Sequence, residues 1–156
     1  MKLVFTAFET KSPEWAQTAR AEYIQKVSHF VPMEWRPIKS PAIDRDDHAV
    51  KQKKEAELLF KILEPNDLLI LFDEGGSSFK NSHDFSASLR RVMESGKSKV
   101  LFVIGGAYGF HPDVKQRAQY KWSLSHLTYN HWLAQLVALE QIYRGFTIIK
   151  SLPYHN

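Results

Sequence analysis

No cysteine occurs anywhere in the chain, which excludes disulfides, thiolate–metal sites and a cysteine nucleophile. No apolar run approaches the roughly 20 residues a membrane helix needs. The start, Met1 to Glu9, lacks a long signal core and reads as a strand. A soluble, cytoplasmic protein is therefore expected, with no membrane partner. Neither the dinucleotide fingerprint Gly-x-Gly-x-x-Gly nor a complete phosphate loop, Gly-x-x-x-x-Gly-Lys-[Ser/Thr], is present. No repeat, low-complexity tract or linker divides the 156 residues, so one domain spanning 1–156 is expected, long enough to bury a real core. Carboxylates also run short toward the end. Residues 100–156 hold 5 Lys+Arg against 2 Asp+Glu, plus His111, His126, His131 and His155, whereas residues 1–99 hold 16 and 15. That imbalance suits an anionic partner such as RNA, although five cations make a modest footprint.

What is present alternates between strands and helices. Lys2–Phe8 reads as a first, central strand. Ser12-Pro13-Glu14 reads as a helix start, with a capping hydroxyl, a proline at the first position and a carboxylate at the positive dipole end. Trp15, Ala19, Tyr23 and Val27 then form an apolar stripe at fourfold spacing. Met33–Ile38 reads as a short strand. Asp44–Leu63 reads as a helix whose polar half (Lys51, Lys53, Lys54, Glu55, Glu57) is a solvated face and whose core end is Leu58, Leu59, Ile62 and Leu63. A turn at Glu64–Asp67 leads into the buried strand Leu68–Phe72, then a helix from Ser82 to about Ser95 closed by Gly96. A short helix follows from His111 to about Gln119, then a last strand at Trp122–Ser125. His131–Ile149 closes the chain as a long helix. The predicted fold class is α/β, a mostly parallel sheet with helices on both faces.

Val100–Ile104 is a strand apolar on both sides, and it stops at Gly105-Gly106 with Gly109 three residues on. Paired glycines permit φ > 0 and close backbone approach. At the carboxyl edge of such a sheet they mark a small-molecule pocket. The final helix carries Trp132, Leu136, Leu139, Tyr143 and Phe146 on one stripe, widened by Leu133, Val137 and Ile149. A line of small residues (Ala134, Ala138, Gly145) with Gln141 runs beside it. A helix apolar over so much of its circumference suggests a second subunit, hence a homodimer in which this small line faces a partner helix.

Five segments match one family in order: Leu71-Phe72-Asp73-Glu74-Gly75, Phe102 to Gly109, Ser123 to Thr128, Leu139-Glu140-Gln141-Ile142-Tyr143-Arg144, and Pro153-Tyr154-His155. Together they resemble the RlmH family of SPOUT methyltransferases, and the likeness runs the full length. The resemblance implies methylation at N3 of a pseudouridine in 23S ribosomal RNA, on an assembled ribosomal particle, with S-adenosylmethionine as cofactor. It implies a SPOUT-type sheet whose C-terminal part is tied in a trefoil knot, with knot and cofactor site within about 70–156. It places cofactor contacts on Phe72, Gly105, Leu124, Ser125, His126, Leu127, Thr128 and Tyr129. Catalytic positions implied are His131 beside the cofactor, Tyr154 and His155 on the tail, and the pair Glu140 and Arg144, which would brace the site across the dimer.

The chemistry agrees with these types. A sulfonium methyl is already a strong electrophile, so no metal is needed; the enzyme must align sulfur, methyl and ring nitrogen, and manage the nitrogen's proton. His131, at a helix N-terminus that disfavours imidazolium, suits that proton. Three departures surround the presumed site. Asn130 stands where the family usually has proline, Gln135 where an arginine is usual, and Asn156 where a basic residue ends the chain. Two of these remove positive charge that would meet phosphate. Competing readings are a catalytically weak homologue that binds cofactor or ribosome without methylating, and a nucleotide-binding regulatory module. The absent phosphate-loop and dinucleotide patterns count against the last.

Overall fold

A computed structural model describes residues 1–9, 11–43 and 46–154. In chain order the elements are β1 (Lys2–Glu9), α1 (Glu14–Ser28), β2 (Met33–Trp35), β3 (Ile38–Lys39), α2 (His48–Ile62), β4 (Leu68–Ser77), α3 (Ser82–Met93), β5 (Lys99–Ile104), α4 (Pro112–Arg117), β6 (Tyr120–Trp122) and α5 (His131–Ile149). The sheet runs β2-β1-β5-β4-β6, with β3 pairing beyond β2 on β1, and every pairing is parallel. No helix among the described residues is long and apolar enough to cross a membrane.

Period-two alternation along the strands sorts the core into two halves. Leu3, Phe5 and Ala7 of β1 join Val100, Phe102 and Ile104 of β5 under α1, α3 and α5, where Val27, Phe85, Leu89, Leu139 and Ile142 meet them. Val4 and Phe8, with Leu69, Leu71, Leu101 and Val103, face the other way onto Ala56 and Leu59 of α2 and Val114 of α4. Strands apolar on both faces are what a parallel sheet covered on both sides requires.

Several local expectations differ from the structure, each for an identifiable reason. The second strand is two short pieces, β2 and β3, because Pro37 interrupts pairing along β1. Helix α2 begins at His48; Asp44 and Arg45 lie outside the described residues. Strand β4 does not stop at Phe72 but continues to Ser77, with a register shift against β6 between Phe72 and Ser77. Gly76 makes that shift possible, since a Cβ there would come within 2.5 Å of the Lys121 carbonyl. Strand β6 falls at Tyr120–Trp122, leaving Ser123–Ser125 in a loop. Gly96-Lys97-Ser98, a fragment of the phosphate-loop pattern, joins a helix to a strand, the reverse of that motif's order.

Two helix readings also change. Helix α1 has Pro13 rather than Ser12 at its cap, and its inward residues are Ala16, Arg20 and Val27, while Trp15 is 52% exposed. Helix α5 packs against α1 and α3 of its own chain, while Leu133 stays 46% exposed. Its small line is turned inward: Ala138 is fully buried, and a Cβ on Gly145 would press to 2.8 Å from Leu89 Cδ2 of α3. Ser86 of α3 donates to the Gly145 carbonyl at 3.1 Å. Small residues here serve close packing between α3 and α5.

Candidate functional site

The carboxyl ends of β1, β4 and β5 open into one cleft of about 780 Å³, closed on its far side by the segment from Ser123 to Ala134. Each loop is held by its own backbone. After β5, Gly109 N–H donates to the Gly106 carbonyl at 3.1 Å, and Gly109 takes φ +75°. Gly105, where positive φ was anticipated, does not take it; there the need is space, because a Cβ would meet the Phe110 ring at 3.0 Å. After β6, Ser123 N–H donates to the Ser77 carbonyl at 2.9 Å, Ser123 Oγ donates to the Ser125 carbonyl at 3.1 Å, and Ser125 Oγ accepts from Leu127 N–H at 2.9 Å. These bonds fold 123–127 tightly and push Leu127 outward, 72% exposed, on the rim.

The next element starts immediately. Asn130 caps α5, its side chain accepting from Trp132 N–H at 2.9 Å, and so fixes His131 on the wall. Asparagine in place of proline thus keeps a competent helix start. Burial pushes the His131 imidazole down from its ordinary value; Glu9 and a hydrogen bond to the Gly105 backbone pull the other way, and Arg20 reinforces the fall. His131 Nε2 is buried without a hydrogen-bond partner, with Glu9 Oε2 3.9 Å away.

Beneath His131 lies a buried polar network. Arg20 donates to Gln135 Oε1 at 2.9 Å and to Ser12 Oγ at 3.2 Å; Ser12 donates to Glu9 Oε1 and Gln135 Nε2 to Glu9 Oε2, both at 3.0 Å. Arg20 also approaches Glu9 to 3.5 Å and covers the Trp35 ring at 4.0 Å. Gln135 is 1% exposed, so it faces the interior rather than phosphate. An arginine cation is present at this spot after all, carried by α1 instead of α5.

Helix α2 supplies the wall opposite. Glu55, read as part of a solvated face, is only 5% exposed and lines the cleft, as does Lys51 one turn earlier. Burial raises the Glu55 carboxyl to about 7, with Lys51 opposing.

Of the predicted cofactor residues, Phe72, Gly105, Leu124, Ser125, Leu127, Thr128 and Tyr129 line this one cleft, together with His131. His126 is exposed and outside the lining. Glu140 and Arg144 of α5 gather with Tyr154 of the tail, away from this cleft. Arg144 Nε donates to Glu140 Oε1 at 2.9 Å, Tyr154 OH to the same oxygen at 3.4 Å, and the guanidinium covers the Tyr154 ring at 4.9 Å. None of the three lines the cleft of its own chain. His155 and Asn156 lie outside the described residues. Sequence reasoning missed Glu9, Arg20 and Glu55. A signal existed for Glu55, which stands four residues before Leu59 and so on the core stripe; for Glu9 and Arg20 no local pattern pointed inward.

No group of three or more His, Asp or Glu side chains among the described residues could hold a metal. The cleft does suit an adenosyl sulfonium compound: apolar Phe72, Leu124 and Leu127 for a ring, loop backbone for its polar edge, and an unpartnered buried carboxylate for positive charge.

Comparison with known proteins agrees with this picture. The family model described as a predicted SPOUT methyltransferase matches residues 1–155. A Bdellovibrio bacteriovorus protein named ribosomal RNA large subunit methyltransferase H is 39% identical over 156 residues, covering 100% of this chain and 99% of that protein. One of the same name from Flavobacterium psychrophilum is 40% identical over 141 residues, 90% of this chain and 89% of its own. Among solved structures, a probable methyltransferase from Bordetella pertussis Tohama I superposes with TM-score 0.53 at 11% identity, covering 92% of this chain and 94% of that one, a likeness of fold.

Proposed function

Because the chain belongs to the SPOUT methyltransferase family, we propose that it methylates N3 of a pseudouridine in large-subunit ribosomal RNA, acting on an assembled particle. The observation that carries this reading is the convergence of Phe72, Gly105, the 124–129 loop and His131 on one cleft. S-adenosylmethionine, when bound there, supplies an electrophilic methyl group and needs no metal to do so. Everything else falls to the protein. Phe72 of β4 and the loops after β5 and β6 hold the adenosyl part by apolar walls and backbone groups. His131, kept neutral at physiological pH by burial, stands on the cleft wall and takes the N3 proton as the methyl passes from sulfur to nitrogen, leaving a neutral thioether. Glu9, fixed by Ser12 and Gln135, faces the resulting imidazolium.

In the same proposal the chain works as a homodimer with a knotted C-terminal part. Glu140, Arg144, Tyr154 and His155 act at the partner's cleft, which accounts for the first three lying away from their own. Exposed Trp15 and Leu133 offer apolar surface beside α5 for that contact. The cytoplasm, where ribosomal particles assemble, is the proposed location.

The test is transfer of labelled methyl from S-adenosylmethionine to ribosomal particles lacking the modification, with the position read by mass spectrometry. Wild-type protein should label one pseudouridine at N3. His131→Ala should lower the rate by about 10²–10⁴ while leaving cofactor affinity within twofold. Tight cofactor binding without transfer to any ribosomal particle would refute the proposal and favour a binding-only homologue.

A further inference from the structure

Glu55 lines the cleft without a task in the reaction above, and its surroundings are specific. Its carboxylate is almost wholly buried, yet Oε1 has no hydrogen-bond partner. A buried charge without a partner is costly, so such a group is retained only where something meets it. The loop after β5 is built to lie against it. A Cβ on Gly106 would fall 2.6 Å from Glu55 Oε1 and 2.7 Å from Oε2, so glycine at 106 is what lets the carboxylate sit there. That loop is held on α2: Gln52 Nε2 donates to the Tyr108 carbonyl, the His48 ring stacks on Tyr108 with centroids 3.7 Å apart, and Lys51 Nζ lies 5.7 Å from the centre of the same ring. Lys51, one helical turn before Glu55, shares the cleft wall and acts on the carboxylate electrostatically. The wall thus presents an acid and a base side by side, on a rigid helix, to the same space as the apolar adenosyl surfaces.

We propose that Glu55 and Lys51 clasp the amino-acid end of S-adenosylmethionine, Glu55 taking its α-ammonium and Lys51 its carboxylate. The assignment rests on the cofactor reading above. A zwitterion matches two opposite charges one turn apart; a ribose diol would match the carboxylate but leave Lys51 unused. A cation also answers the burial of Glu55, which in the free protein holds its proton up to about pH 7. Binding should therefore expel that proton. Facing Glu55 are Lys51 from its own helix and the Gly106 backbone from the β5 loop. The other titratable groups on the cleft wall are Glu9, Lys11, Asp73, Glu74, Tyr108, Tyr129 and His131.

The experiment is calorimetry of the full chain with three probes: S-adenosylmethionine, S-adenosylhomocysteine, and methylthioadenosine, which lacks the amino-acid end. At pH 7.5, Glu55→Gln should weaken the first two about tenfold or more, as for loss of a charge-assisted bond, and leave methylthioadenosine within twofold. Lys51→Met should show the same selectivity. Wild-type affinity for S-adenosylhomocysteine should fall as pH drops from 7.5 to 6, while Glu55→Gln stays flat. That pH series and the Lys51 variant decide the matter should Glu55→Gln fold poorly. Unchanged affinity in both variants, or equal weakening of methylthioadenosine, overturns the clasp while leaving the cofactor assignment intact. A wild-type protein that binds none of the three overturns both.

Discussion

Replacing Glu55 by glutamine should make the ligand-free protein less sensitive to alkaline pH, and the size of the effect follows from the cleft. Burial lifts the carboxyl from 4.5 to about 7 in the folded state. A carboxyl whose folded value is raised favours the fold while protonated and opposes it once ionised. Its contribution is therefore present below about pH 4.5 and is lost as pH climbs to about 7. At 1.36 kcal/mol per unit, the full span corresponds to roughly 3 kcal/mol. Glutamine does not titrate, so the stability gap between variant and wild type should widen by about that amount between pH 4.5 and 8. A constant cost of burying the amide drops out of this comparison. His131, whose value is depressed, loses stability as pH falls through 6.5 and does so in both proteins, so it too cancels. Thermal unfolding followed by circular dichroism should show the midpoint of Glu55→Gln gaining about 6–12 °C on wild type across that range, at 2–4 °C per kcal/mol. Parallel midpoint curves for the two proteins would refute the burial argument.

Two further outcomes follow from packing. Gly145→Leu should destabilise the folded chain at the upper end of about 1–3 kcal/mol, because Leu89 already stands 2.8 Å from where a Cβ would be. Denaturant unfolding measures this, and sedimentation should show the assembly state unchanged. Gln135→Arg should cost about 3 kcal/mol or more by placing a second guanidinium against buried Arg20. Its salt dependence of RNA binding should match wild type, since position 135 does not reach the surface; a steeper slope would contradict the interior placement.

How much could be read from the chain beforehand depended on the range of the signal. Strands β1, β4 and β5 announce themselves because each is apolar on both faces, and α5 because Asn130 caps a nineteen-residue apolar pattern. The cleft followed from their glycine-rich ends. Ser12 was misread as a cap because a hydroxyl before Pro-Glu normally serves one; here it bridges Glu9 and Arg20. Arg20 in the middle of a helix reads as solvent-facing unless a residue 115 positions away is known to accept from it. The small line of α5 reads as a partner-facing surface because sequence records the smallness of a face, not what lies on it. Lys51 and Glu55 read as surface charges for the same reason: polarity alone does not tell a solvated face from the wall of a cleft.

The strand order has a bearing on how the protein is made. Strand β1 lies between β2 and β5, and its pairing with β5 joins Lys2 to Lys99 and Ala7 to Ile104. During synthesis, at about 5–20 residues per second, the edge of β1 that awaits β5 stays open for roughly 5–20 seconds after it emerges. Throughout that interval Leu3, Phe5 and Ala7 lack the neighbours that later bury them. The cleft needs β1, β4, β5 and the start of α5 together, so it forms only after His131 has left the ribosome. Folding of this chain is dominated by contacts distant in sequence, which places it among slow folders of its size.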